Sequence, residues 1–237
     1  MAGINREVMS SRELVIGDVH GCIRALKTLL DLAQPTADDT VIFLGDYVDR
    51  GPDSCGVIET ILELGGHCTV IALGGNHEKM LLNARQDAQY FKDWLMYGGK
   101  QTLASYQRHG YTGRIEDIPS RHWQFFAEET LDYWETEKSI FVHATVDPAL
   151  NMVDQPEYLL FWERFADPTI HKSGKRIICG HTSQKSGRPA IFDHGICIDT
   201  YAYGGGWLTC LDTATLQFRQ ANEAGQHRAF PITALLE

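Results

Sequence analysis

Five short apolar runs in this chain stop on the same chemistry. Residues 14–16 lead into GDVHG with Asp18 and His20, 41–44 into GDYVDRG with Asp46, Asp49 and Arg50, and 69–73 into GGNHE with Asn76 and His77. Residues 140–142 then meet His143, and 177–179 meet His181 within GHT. Their length and β-branched content mark them as strands rather than helix segments. Open α/β sheets place their ligands just beyond the carboxyl ends of strands. A lone Asp or His after a strand is an ordinary turn residue, whereas five in succession call for a fold that gathers them.

Between the first three runs lie helical patterns. Ile23, Leu26, Leu29 and Leu30 share one face, as do Val57, Ile58, Ile61 and Leu62, so the N-terminal third reads β-α-β-α-β with parallel strands. Further runs at 196–198 and 207–211 lie closer together, with Gly-rich turns such as YGGGW, which predicts hairpins and a mixed or second sheet. From 83 to 135 the strand signal vanishes and aromatics accumulate. Acids outnumber bases there, so a helical cap with its own packing is expected rather than a base-stacking surface. MYGGKQT within it fails as a phosphate loop, because Gln101 follows Lys100 and Trp94 stands where the first glycine belongs. A chain of 237 residues, 43% hydrophobic, can bury one sizeable core, and a single α/β domain over 1–237 is expected.

The formal charge of −10 disfavours nucleic acid, whose phosphates need a basic footprint. It leaves room for a small anionic substrate, because bound cations reverse the sign locally. No stretch approaches the roughly 18 apolar residues of a membrane span, and MAGINREVMSSRELV holds no apolar export core. A cytoplasmic protein without membrane partner is expected, and a monomer. Its six cysteines form no CxxC and read as reduced core thiols.

The glutamate of GGNHE invites a zincin reading, but HExxH needs a second histidine where Leu81 stands. A different constellation fits better. Asp18 and His20, two apart on extended chain, point the same way and can share one ion, while Gly17 and Gly21 let the backbone come close. Asn76, His143 and His181 offer an amide oxygen and two imidazoles to another. A carboxylate, Asp46, is the natural bridge, having two charged oxygens. Mixed O and N ligands without thiolate suit Mn²⁺, Fe or Zn²⁺. Two such ions about 4 Å apart are an apparatus for phosphoryl transfer to water.

GDVHG, GDYVDRG, GGNHE, a strand-end HA and GHT, in this order, resemble the PPP branch of the calcineurin-like metallophosphoesterases, in the compact bacterial and phage form of the metal-dependent Ser/Thr protein phosphatases. The resemblance runs from about residue 14 to 211. It implies an α/β fold, a β-sandwich of mixed sheets flanked by helices. It also implies a dinuclear site, with Asp18, His20 and Asp46 on one metal and Asp46, Asn76, His143 and His181 on the other. The expected reaction is phosphomonoester hydrolysis by a metal-bridging hydroxide, on a phosphoprotein, a phosphopeptide or a small phosphate ester, with dual specificity left open.

Neighbouring side chains on extended backbone face opposite ways, so Asn76 can bind metal while His77 faces the leaving group as general acid, with Asp49 holding its imidazole. Arg50, and by resemblance Arg164 in FWERF, would grip phosphate oxygens bidentately. Glu78 reads as a helix-start residue. His67, His109, His122, His171, His194 and His227 carry no motif and read as surface or satisfied core. Two other functions compete. One is hydrolysis of dinucleoside polyphosphates (Ap4A type), whose sister family carries GDLVARG where this chain has GDYVDRG. The other is a catalytically silent phosphate-binding module, which should have lost a ligand or the acid. The family pattern Ile-Asp-Thr-Gly-Ala departs here to Tyr201, and HAG departs to Thr145. Both departures are expected near the active-site floor or mouth, Tyr201 either narrowing the pocket or packing on the Gly-rich turn.

Overall fold

In the computed structural model, which describes residues 11–166 and 168–236, two mixed β-sheets pack face to face. The leading unit is the expected one: β1 (Glu13–Ile16), α1 (Ile23–Ala33), β2 (Thr40–Phe43), α2 (Ser54–Leu64) and β3 (Thr69–Ala72), with all three strands parallel. Four helices follow, α3 (Asn76–Ala84), α4 (Ala88–Trp94), α5 (Lys100–Arg108) and α6 (Ser120–Gln124). The chain then adds β4 (Tyr133–Glu135), β5 (Ser139–Val142), α7 (Glu157–Phe161), β6 (Arg176–Cys179), β7 (Ala190–Ile191), β8 (Gly195–Cys197), β9 (Leu208–Asp212), β10 (Gln217–Ala221) and β11 (His227–Pro231). One sheet runs β11-β10-β9-β1-β2-β3 and the other β4-β5-β6-β8-β7.

The strand period of two sorts the apolar side chains into layers. Val15 and Ile42 from the first sheet meet Phe141, Ile178 and Ile196 from the second inside the sandwich. Their neighbours Leu14, Ile16, Val41 and Phe43 turn outward onto α1 and α2, packing with Leu26, Leu29, Val57 and Ile61. On the far face Ile140, Val142, Ile177 and Cys179 pack with Phe161 and Phe165. A one-residue slip would exchange these layers, so the pattern fixes the register. All six cysteines are buried free thiols. No helix among the described residues is long and apolar enough to cross a membrane, and residues 1–10 of the N-terminal stretch lie outside the description.

Two expectations need correction, and three strands come in addition to those expected. Strands β7, β10 and β11 had no apolar run to announce them: β11 is an exposed edge, and β10 buries Gln220, whose amide donates to Thr209 Oγ1 (2.7 Å) and Gly187 O (3.1 Å). The segment 83–135 ends in a strand, β4, which pairs with β5. That segment is also no separately packed cap. Trp94, Tyr106, Trp123, Phe125 and Phe126 join the cluster that holds Leu14, Leu26 and Val57.

Asp39 ties the entry to β1 to the turn before β2. Its carboxylate accepts from Arg12 N (2.9 Å), Nε (3.1 Å) and Nη2 (2.6 Å), and from Thr36 N (2.8 Å) and Oγ1 (3.0 Å). Burial alone would raise its pKa, but the Arg12 and Thr36 donors outweigh burial and hold it well below the usual carboxylate range. Because the folded value lies below the unfolded value of about 3.9, this stabilisation is complete at neutral pH and drains away as pH falls below about 4. Asp39→Asn is therefore expected to cost about 1.5–3 kcal/mol at pH 7. Denaturant unfolding at pH 7 and again at low pH should show its deficit against wild type shrinking in acid.

Candidate metal centre and active site

The strand-end loops are bent tightly against one another. Val19 N and His20 N both donate to Asp46 O (3.1 and 2.8 Å), and Gly21 N donates to Tyr47 O (2.8 Å). His20, Asp46, Asp49, Arg50 and His181 all adopt left-handed backbone, with φ of 44, 52, 71, 66 and 59°. Non-glycine residues persist in that region at a cost of about 1–3 kcal/mol each only where the surroundings dictate it. Glu78 supplies much of that constraint: its buried carboxylate accepts from Asp46 N (2.9 Å), Tyr47 N (2.8 Å), Val48 N (3.3 Å) and Gly75 N (2.9 Å). Glu78 is thus the helix-start residue expected, and in addition the brace of the GDYVDRG loop.

Asn76 and His77 sit on helical rather than extended backbone, as the first two residues of α3 with Gly75 at its N-cap. They diverge because successive residues on a helix turn by about 100°. Gly75 is required by contact, since a Cβ there would collide with the Asp46 carboxylate. Asp18 and His20 likewise lie in a loop after β1 rather than on extended strand.

Backbone carbonyls decide which imidazole nitrogens are free. A carbonyl only accepts, so the ring nitrogen beside it carries the proton. Val48 O lies 2.9 Å from His20 Nδ1, Leu44 O 2.8 Å from His143 Nδ1, and Trp162 O 3.1 Å from His181 Nε2. The opposite nitrogens therefore present lone pairs. Those of His143 Nε2 and His181 Nδ1 both lie 3.0 Å from Asn76 Oδ1, another acceptor. The Asp46 carboxylate reaches both sides, Oδ2 lying 3.4 Å from His20 Nε2 and Oδ1 3.5 Å from His143 Nε2. Burial lowers the pKa of His20 and His143, and burial with the neighbouring His143 lowers that of His181 to about 4, so all three rings are neutral at pH 7.

Negative charge accumulates in the same place. Asp18, Asp46 and Asp199 are buried together, and burial, Asp199 and Asp46 push the Asp18 carboxyl well above its usual range. Converging lone pairs and crowded buried carboxylates are what a divalent cation satisfies. His20, Asp46 and His77 form one group of potential ligands, and Asp46, His143 and His181 another. Asp18 falls in neither group; its carboxylate accepts from His181 N of the second (3.1 and 3.0 Å). The donor set thus fits divalent metal.

His77 Nδ1 lies 2.7 Å from Asp49 Oδ2, while its Nε2 is buried without a partner among the described residues. Burial opposes protonation of His77, but Asp46 and Asp49 outweigh it and raise its pKa above the ordinary histidine value. Asp49 is itself held by Trp94 Nε1 (3.0 and 2.9 Å) and Thr102 Oγ1 (2.7 Å). Neither residue was singled out as functional. Both come from the stretch around MYGGKQT, whose Gly98, at φ 123°, packs on Arg50 where a Cβ would meet Arg50 N at 2.6 Å. The glycine pair was the available signal, and its use is to admit Arg50 rather than phosphate.

The Arg50 guanidinium lies 4.6 Å over the Tyr203 ring, and its Nη1 donates to His20 Nε2 at 3.1 Å. Tyr203 also stands 4.8 Å from the His20 ring, another site residue the sequence did not flag. Tyr201 adopts φ 64° and packs on Gly204 of the Gly-rich turn; its ring lies 4.8 Å from that of Tyr203, and its N–H donates to Asp199 Oδ1 at 3.0 Å. Thr145 engages its surroundings through its N–H, which donates to Leu159 O at 2.9 Å. Arg164 is exposed on a loop whose flanks are tied to the GHT segment, through Trp162 O to His181 Nε2 (3.1 Å) and Phe165 N to Thr182 Oγ1 (2.8 Å). It lies at the rim rather than among the buried groups. Asp199, absent from the expected site, steadies the same segment by accepting from Ser183 Oγ (2.5 Å).

The sequence profile of the family described as Calcineurin-like phosphoesterase matches residues 12–193, and the chain belongs to that family. The serine/threonine-protein phosphatase 1 of Salmonella typhimurium is 41% identical over 86 residues, 36% of this chain and 38% of that one. The symmetrical bis(5'-nucleosyl)-tetraphosphatase of Edwardsiella ictaluri is 46% identical over 70 residues, 29% of this chain and 24% of that one. The alignments thus span well under half the length of these curated relatives. Among solved structures, the cold-active protein-tyrosine phosphatase of a psychrophilic Shewanella shares the fold at TM-score 0.64 and 17% identity, covering 92% of this chain and 80% of that one. A protein serine/threonine phosphatase from Saccharomyces cerevisiae does so at 0.59 and 16%, covering 96% and 82%. The mixed-sheet α/β sandwich anticipated from the motifs is the fold of this family.

Trp94→Phe keeps the ring and removes its N–H from Asp49. Phosphoesterase turnover is expected to fall about tenfold, equivalent to ~1.4 kcal/mol in the barrier, with metal content and circular dichroism unchanged. Wild-type turnover in this variant would remove Trp94 from the support of Asp49.

Proposed function

We propose that this chain is a phosphomonoesterase that works with two divalent ions, most simply Mn²⁺, with Fe or Zn²⁺ compatible with the same donors. Asp18, His20 and Asp46 would hold one ion, and Asp46, Asn76, His143 and His181 the other. The observation that carries this reading is the meeting of His143 Nε2, His181 Nδ1 and Asn76 Oδ1, three acceptors with 3.0 Å contacts and no donor among them. When bound, such a pair supplies an activated water and neutralises charge on the phosphoryl oxygens.

The chain's own groups do the rest. Arg50 turns its guanidinium from His20 to the phosphate oxygens, with Arg164 approaching from the rim. His77 donates its Nε2 proton to the departing oxygen, and the Asp49 carboxylate fixes the ring through Nδ1 and stabilises its protonated form. Phosphoserine and phosphothreonine are the substrates proposed, because their poor alkoxide leaving groups need such an acid most. The Salmonella relative carries a name of that class. Hydrolysis of dinucleoside tetraphosphates is the second reading, favoured by the name of the Edwardsiella relative. Buried free thiols suit a reducing, cytoplasmic setting, and a monomer suffices for the site as described.

Asp46→Asn removes one charge from between two cations, so metal content should fall together with activity. Elemental analysis of the purified variant decides this, and wild-type stoichiometry and affinity would mean that Asp46 is not the bridge. His77→Ala should keep its metals and lose about 10² to 10⁴ in kcat on alkyl phosphates. Nitrophenyl phosphate, whose leaving group is already acidic, should suffer less, and equal losses on both substrates would count against the acid role. Turnover of a phosphoserine peptide against a dinucleoside tetraphosphate separates the two substrate readings.

A further inference from the structure

We propose that Cys55, Glu59 and His122 form a third cation site, apart from the strand-end loops, for one thiophilic divalent ion such as zinc. Cys55 and Glu59 stand one turn apart on α2, so the thiol and carboxylate share a face. His122 comes to them from α6. One ligand atom of each lies within 4.8 Å of the other two. Cys55 and His122 are each 1% exposed, whereas the Glu59 side chain is 48% exposed, so the group is closed inward and open to solvent on one side. That opening gives an ion its entry and a water its place as fourth ligand.

The imidazole is already oriented for the task. Tyr106 Oη lies 2.8 Å from His122 Nδ1, and Glu59 Oε1 lies 2.9 Å from Nε2. The Glu59 carboxylate only accepts, so without an ion Nε2–H donates to Glu59 and the Tyr106 hydroxyl donates to Nδ1. On binding, the ring proton would move to Nδ1 and bond to the tyrosine oxygen, leaving Nε2 for the ion and Tyr106 as the outer partner that metal-bound histidines use. Burial lowers the His122 pKa, which keeps the ring neutral as a ligand must be. Thiolate, imidazole and carboxylate in a tetrahedral set with one open position make a zinc environment. On binding, the Cys55 S–H bond breaks and a sulfur–metal bond forms, the proton leaving to solvent. The ion takes the place of the Glu59–His122 contact, and nothing is oxidised or reduced.

The location links this site to the active centre. Cys55 N donates to Ser105 Oγ (2.9 Å), and Thr102 on the same helix, α5, donates to Asp49 (2.7 Å). An ion on Cys55, Glu59 and His122 would therefore clamp α2 to α6 behind the helix that braces the proposed acid pair.

The motif residues at the strand ends include no cysteine, which makes the two kinds of site separable by spectroscopy. Metal-stripped full-length protein titrated with Co²⁺ should develop a thiolate-to-cobalt charge-transfer band whose saturating amplitude corresponds to one cobalt–thiolate site per chain. Asp46→Asn should keep the band, Cys55→Ser should lose it, and Glu59→Gln, at the solvent side, should weaken the band's apparent affinity about 10- to 100-fold. No band in the wild type, or an equal band in Cys55→Ser, overturns the site and leaves His122 as a core histidine bonded to Tyr106 and Glu59. Should Cys55→Ser fail to fold, an unaltered cobalt affinity in Glu59→Gln overturns it equally. None of these readings depends on phosphatase activity.

Discussion

The site depends on where three imidazole protons are held. Val48 O, Leu44 O and Trp162 O each lie against one nitrogen of His20, His143 and His181, and this leaves the opposite nitrogens as acceptors. Were the tautomers reversed, His143 Nε2–H could bond to Asn76 Oδ1 and the pocket would be a satisfied polar core. As they stand, His143 Nε2, His181 Nδ1 and Asn76 Oδ1 converge as three acceptors, an arrangement that is costly in a buried place unless a cation completes it. The sandwich earns its shape here, because these carbonyls belong to the strand ends and loops that the two sheets bring together.

A second constraint runs beneath the first. Left-handed residues at His20, Asp46, Asp49, Arg50 and His181 would relax in isolated loops. Glu78 prevents this from the first turn of α3, receiving the N–H groups of Asp46, Tyr47 and Val48. One helix start therefore presents Asn76 to His143 and His181, His77 to Asp49, and Glu78 to the loop that carries Asp46. Trp94 and Thr102 complete the frame from the other side by fixing Asp49.

Much of this was legible in the sequence, because each motif is contiguous and ends an apolar run. Strands β1, β2, β3, β5 and β6, and the gathering of Asp46, Asn76, His143 and His181, follow from those runs alone. What depends on distant partners leaves no such mark. Trp94 and Thr102 lie 45 and 53 positions from Asp49, and no local pattern announces such a bond. Strand β10 hid because its inward Gln220 is polar yet hydrogen-bonded. The backbone of Asn76 and His77 was misjudged as extended although Gly75 followed by Glu78 three residues on carries a helix-start signal. The aromatics of 83–135 were legible as a packed group, but nothing local told that they pack into the main core.

On the proposed reading, the pinned lone pairs would serve two cations that share Asp46. Anomalous diffraction from crystals of the Mn²⁺-loaded protein tests it directly. Two peaks about 4 Å apart are expected, one beside Asp18 and His20, the other among Asn76, His143 and His181, each bonded to a different oxygen of Asp46. A single peak, or two peaks of which only one contacts Asp46, would contradict the account.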